Sequence, residues 1–147
     1  MNPVSILPPV FALVIWTACV MMLMLITRIR AVRRREIGLA DFKYGESAAV
    51  SSKIGLPNKN YANLLQLPLL FYFVCLLLYL TSDITVLMVI LAWTYVGLRL
   101  VHSLIHVTYN HVFHRFIAFA LSTAVLGTLW VLAGIEVFAK GVGTGAS

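Results

Sequence analysis

Apolar residues fall into four long runs along this chain, separated by one strongly basic stretch and two short polar breaks. The runs cover about residues 6–27, 61–81, 84–107 and 116–139. Each is close to the roughly 20 residues that a helix needs to cross a hydrocarbon layer about 30 Å thick. Helices are the expected form, because backbone polar groups in lipid must be satisfied within the segment. The pattern therefore predicts an all-α membrane protein: a four-transmembrane-helix bundle occupying residues 1–147 as a single domain. Pro8 and Pro9 sit at the beginning of the first run, where a helix tolerates them. A basic loop of about residues 28–60 joins the first two spans, Ser82–Asp83 form a tight turn, and the Gly-rich tail "KGVGTGAS" is expected to fray.

Composition agrees with the pattern. Apolar residues make up 61% of the 147, and charged residues only 11%, against about 25% in ordinary soluble domains. Mean hydropathy is +0.96. The first run is not a signal peptide on its flanks: no positive charge precedes it, and "RIRAVRRR" follows where small residues would mark cleavage. Cys19 and Cys75 lie inside apolar runs without metal-ligand spacing and read as small hydrophobes.

The net charge of +6 is concentrated. Eight of the eleven Lys and Arg residues lie between Arg28 and Lys59, flanked on both sides by apolar runs. That placement speaks for a membrane surface and against nucleic acid, since no basic surface interleaved with aromatics is present. The positive-inside rule puts this loop and the short "HVFHR" turn in the cytoplasm and both termini outside. The short loops and the lack of a retention signal point to a bacterial inner membrane.

Charged and imidazole groups inside the third run call for an explanation. Tyr95, Arg99, His102, His106 and Tyr109 recur at intervals of four, three, four and three, one stripe on one helix face. Arg99 lies about 22 Å along the helix from Ile84. Arginine at membrane depth costs roughly 2–3 kcal/mol on insertion scales unless it finds partners or water. Snorkelling would account for Arg99 alone, but not for two histidines on the same face. In the second run Lys59, Asn63 and Gln66 fall at i, i+4 and i+7, followed by Pro68. Amides there can also serve as glue between helices. Arg115 opens the fourth helix, where it is either a membrane anchor or a third wall of a shared pocket.

Together these residues predict a polar pocket near the basic end, with Lys59, Arg99, Arg115 and Arg28 or Arg30 facing no carboxylate. Such a pocket takes an anion, and its amides and imidazoles suit a peptide-like ligand. Its apolar walls admit a lipophilic small molecule from the bilayer. Metal is not expected: His102 and His106 have a gripping i, i+4 spacing, but no Cys or acidic residue joins them and Arg99 repels a cation. Ser103 has no acidic partner to orient a serine–histidine pair.

At these residues the chain resembles the membrane-associated proteins in eicosanoid and glutathione metabolism, the MAPEG superfamily, in a bacterial-type form. The resemblance covers nearly the whole chain in architecture. In residues it rests on Lys59, Asn63 and Gln66 in the second helix, on Arg99, His102 and His106 in the third, and on Arg115 sixteen residues after Arg99. It implies a homotrimer with glutathione as co-substrate between subunits. Lys59, Asn63, Gln66, Arg99, His102 and His106 would bind it, and Arg115 would stabilise the thiolate. The chain departs from the family pattern at four positions. Gln66 stands for a Glu that helps hold the ligand's amino end, His106 for a Tyr, Lys59 for an Arg, and Phe119 for a Tyr found in some members.

The implied activity is a glutathione-dependent transferase or peroxidase acting on lipophilic electrophiles. The alternative is a non-catalytic lipid-binding or scaffold member of the same superfamily. A transporter or channel subunit is a third reading, opposed by the lack of an acidic residue in mid-membrane.

Overall fold

The computed structural model describes residues 2–36, 38, 52–81 and 84–144. A short 3₁₀ turn, Pro3–Ile6, leads into α1, Leu7–Arg33, and three further helices follow: α2, Ser52–Thr81; α3, Val86–Val107; and α4, Val112–Thr144. No strand occurs among the described residues. All four helices are long and apolar enough to cross a membrane.

Three of the four helices outrun the apolar runs that predict them, and α3 starts two residues inside its run. α1 continues through Arg30 and Arg33, because arginine is a good helix former and its charge is favourable near a helix C-terminus. α2 starts at Ser52 and passes through Pro57. Much of the stretch expected as loop, at both of its ends, is therefore helix. Proline in the second turn has little helix upstream of it to disrupt. α4 runs on to Thr144, so most of the tail expected to fray is helical. The middle of the basic loop and the turn expected at Ser82–Asp83 lie outside the described residues.

Each helix buries one stripe. On α2 it is Leu64, Phe71, Val74, Cys75 and Leu78; on α4 it is Ala118, Ser122, Leu126, Leu129 and Ala133. α3 is the most enclosed helix, with 44% of its most apolar stretch buried against 11% for α1. Its stripe starts apolar at Met88, Ala92 and Val96 and turns polar at Arg99, His102, Ser103 and His106. Phe71 and Tyr95 stack at 4.5 Å where the apolar half meets the polar half. Outward faces carry Phe11, Ile15, Leu69, Leu80 and Phe138, all exposed, as a lipid-facing surface requires. α3 packs most extensively on α4, and α1 on α2.

Two features secure the polar end. Ser103 Oγ accepts from Trp16 Nε1 of α1 at 2.9 Å and from Asn60 Nδ2 of α2 at 2.6 Å, so one hydroxyl joins three helices. The α3–α4 turn closes at Asn110, which has φ 47°. Asparagine tolerates this left-handed conformation better than most residues, and its N–H caps Ile105 O at 2.8 Å. That tight turn brings Arg115 back against the end of α3.

Candidate functional site

A cavity of about 540 Å³ opens at this end between α2, α3 and α4, lined by Lys59, Ala62, Asn63, His102, His106, Val112, Arg115, Phe116 and Phe119. Five of the seven residues proposed from sequence therefore share one cavity. Lys59 and Asn63 come from adjacent turns of α2, His102 and His106 from adjacent turns of α3, and Arg115 from the first turn of α4.

Arg115 is braced on both sides. Its Nη1 donates to Asn110 Oδ1 at 2.8 Å. The same atom approaches His106 Nε2 at 3.4 Å, and since a guanidinium only donates, that ring nitrogen accepts. The backbone carbonyl of Arg115 lies 3.0 Å from His102 Nδ1. A carbonyl only accepts, so His102 carries its proton on Nδ1 and, when neutral, leaves Nε2 as a lone-pair acceptor. His102 and His106 are 4% and 2% exposed. Yet His102 Nε2 and His106 Nδ1 have no hydrogen-bond partner.

Arg99 lies behind the cavity and does not line it. It is completely buried. Nε donates to the Tyr95 hydroxyl at 3.1 Å. The guanidinium lies 5.4 Å from the centre of the Tyr95 ring and 5.1 Å from that of Phe119, between two aromatic faces. Cation–π contact of this kind is worth about 2 kcal/mol when desolvated. Nη1 and Nη2 still have no partner. Phe119 itself lines the cavity and stands 5.9 Å from the His102 ring, so a departure from the family pattern has become a contact for Arg99.

Gln66 stands apart. It is exposed on α2 and does not reach the cavity. Tyr109 also leaves the predicted stripe: α3 ends at Val107, and Tyr109 is 61% exposed with its hydroxyl 3.3 Å from His114 Nδ1. Arg30 borders a different cleft, of about 210 Å³, with Thr27, Ala31, Arg34 and Glu36. Among the described residues no three His, Cys, Asp or Glu side chains stand together as metal ligands.

Sequence reasoning missed the partners of Ser103. Asn60 is fully buried, and its neighbour Lys59 lies exposed at the cavity, so adjacent polar residues have opposite roles. A buried Asn beside a buried Ser is the signal that joins them, but it is visible only once α2 and α3 are set face to face.

The MAPEG family model matches residues 6–135. The chain belongs to the MAPEG family. It is a multi-pass integral membrane protein on that membership and on its four apolar helices. The matched span contains every residue lining the cavity. No curated protein and no solved structure matches the chain.

Proposed function

We propose that this MAPEG protein is a glutathione-dependent transferase or peroxidase working on lipophilic electrophiles, with Arg115 holding the thiolate. One observation carries the reading. Buried nitrogens on His102 and His106, and those of Arg99 just behind, are left without partners around a cavity whose rim bears Lys59 and Arg115. An unpartnered buried polar atom costs about 1–3 kcal/mol, and more when charged. Retaining several at one place is the mark of a site that a ligand completes. The volume falls within the roughly 300–1,000 Å³ usual for small-molecule sites.

Lys59 and Arg115 supply charge for the ligand's carboxylates, and Asn63, His102 and His106 supply hydrogen bonds to its amides. Arg115 is fixed by Asn110 and His106 through Nη1 alone, and a guanidinium has five donors. Its other N–H groups are available to sulfur. A neighbouring cation lowers a thiol from its usual value near 8.5 by about 1–3 units. The thiol proton leaves to solvent, the thiolate attacks the electrophilic carbon, and that carbon's leaving group departs. Val112, Phe116 and Phe119 give the lipophilic partner an apolar wall.

The protein acts as a homotrimer in this reading. Gln66 is a polar side chain exposed on a membrane-spanning helix, a place where another subunit can supply its partner, as amides commonly bridge transmembrane helices. The basic end faces the cytoplasm, leaving both termini on the other side of a bacterial inner membrane.

The test is conjugation of glutathione to a chlorodinitrobenzene by the detergent-purified protein, together with calorimetry of glutathione binding. Turnover by the wild type and its loss in Arg115→Ala, with binding and trimer intact, is the expected result. No heat of binding at millimolar glutathione would sink the reading and leave the scaffold function in its place.

A further inference from the structure

We propose, building on the thiol reading above, that Asn110 is a positioning residue for the reaction: its side-chain oxygen holds the Arg115 guanidinium in place without cancelling its charge. Asn110 stands in the α3–α4 turn, outside the cavity lining. It therefore acts through Arg115 and not on the ligand.

The local geometry sets up the contact. α4 begins at Val112, and Arg115 lies on its first turn. Side chains of a helix lean towards its N-terminus, so Arg115 reaches back over the turn that precedes it. Asn110 stands in that turn with φ 47°, and its Oδ1 accepts from Arg115 Nη1 at 2.8 Å. His106 Nε2, near the end of α3, lies 3.4 Å from the same nitrogen. The shorter tie is the one to Asn110. The turn is itself locked to α3, because the Asn110 N–H donates to Ile105 O at 2.8 Å. A long side chain tied at its tip to a fixed turn loses most of its freedom before the ligand arrives. A donor ordered in advance need not be ordered during the reaction.

The residue type bears on the same point. Glycine meets a left-handed backbone at no steric cost, and asparagine and aspartate meet it better than other side chains. The turn by itself would thus be served by any of the three. Glycine would supply no acceptor. Aspartate would supply one, but its carboxylate would offset the cation that favours a thiolate. Asparagine makes the turn, accepts the hydrogen bond and leaves the charge of Arg115 whole. Lys59 of α2 and His102 and His106 of α3 face the same cavity, and exchanges at Asn110 leave them unchanged.

The experiment follows the ultraviolet absorbance of the glutathione thiolate across pH on the full-length protein in detergent, together with turnover of the chlorodinitrobenzene. Asn110→Gly is expected to lower turnover at neutral pH by about tenfold, less than loss of the donor itself. The thiolate should appear at higher pH, and the deficit should shrink as pH rises, because the thiol then ionises unaided. Affinity for S-methylglutathione, which has no thiol to ionise, should stay within about twofold. The unfolding midpoint should not fall, since glycine suits the turn. Asn110→Asp is also expected to delay the thiolate to higher pH although it keeps the hydrogen bond. In the Arg115→Ala protein, Asn110→Gly should change nothing further. Wild-type behaviour in a folded Asn110→Gly protein overturns the inference and leaves the thiol reading standing. So does a deficit that is equal at every pH, or one that persists in the absence of the Arg115 side chain. Wild-type behaviour of Asn110→Asp overturns the charge argument. If the wild type itself forms no thiolate, the thiol reading falls and takes this inference with it.

Discussion

Two polar clusters flank α3 at the same depth, and they differ in what they leave unused. On one side Ser103 gathers Trp16 and Asn60, and only Asn60 Oδ1 lacks a partner. On the other, Arg99, His102 and His106 leave four nitrogens unpartnered around a cavity. The first cluster spends its hydrogen-bonding capacity on joining helices. The second holds its side chains with one hydrogen bond each, besides ring contacts, and keeps the rest of its capacity. His102 and Ser103 are neighbours in sequence, so the two roles are separated by a rotation of about 100° around one helix.

If that division is correct, damage to the two clusters should show up in different measurements. The largest effect is expected at Arg115. Arg115→Ala should lower turnover of the chlorodinitrobenzene substrate by about 100-fold, the order found for removing one preorganised donor, while the unfolding midpoint moves little. A stability loss as large as the activity loss would erase the distinction.

Arg99→Met comes next. It replaces an incompletely paired buried cation with an apolar chain of similar reach, a change that is often neutral or stabilising. Glutathione affinity should fall about tenfold, roughly 1.4 kcal/mol, and the empty protein should unfold no more easily in denaturing detergent. Lower stability with unchanged affinity would move Arg99 to the structural side.

Asn60→Ala is expected to have the opposite profile. It should cost about 1 kcal/mol of stability in reversible unfolding, as for loss of one buried hydrogen bond, with affinity for glutathione within about twofold of wild type. Trp16→Phe keeps the aromatic bulk and removes one donor to Ser103, so the expected cost is smallest, about 0.6 kcal/mol by the average for hydrogen bonds between membrane helices. Combining it with Asn60→Ala should show coupling in a double-mutant cycle, because both side chains share one acceptor. Strict additivity would deny that the three helices meet at Ser103.

The residues that were legible in the sequence share a property: their signal is periodic along one helix. Arg99, His102 and His106 recur at helical spacing, and α3 buries all three. Lys59 and Asn63 do the same on α2 and reach the cavity. Gln66 has the same periodicity but remains exposed, because being on one face of a helix does not say how far along that face the neighbouring helix forms a pocket. Tyr109 kept the spacing past the point where the helix ends. Phe119 appeared in sequence only as a missing hydroxyl, and its service to Arg99 comes from a ring face whose position α4 sets against α3.

Hydropathy and helical period alone determined that this chain makes four membrane-spanning helices, that its charge collects at one end, and that α3 turns a polar face inward there. Those are local properties, fixed by the cost of exposing backbone or charge to lipid. Tertiary structure decided which polar groups are consumed and which are left over: Asn60 and Trp16 on Ser103, Phe119 against Arg99, Gln66 outside. These depend on how each helix is rotated and shifted against its neighbours. That choice is made by close packing across the whole bundle, and no single run of residues encodes it.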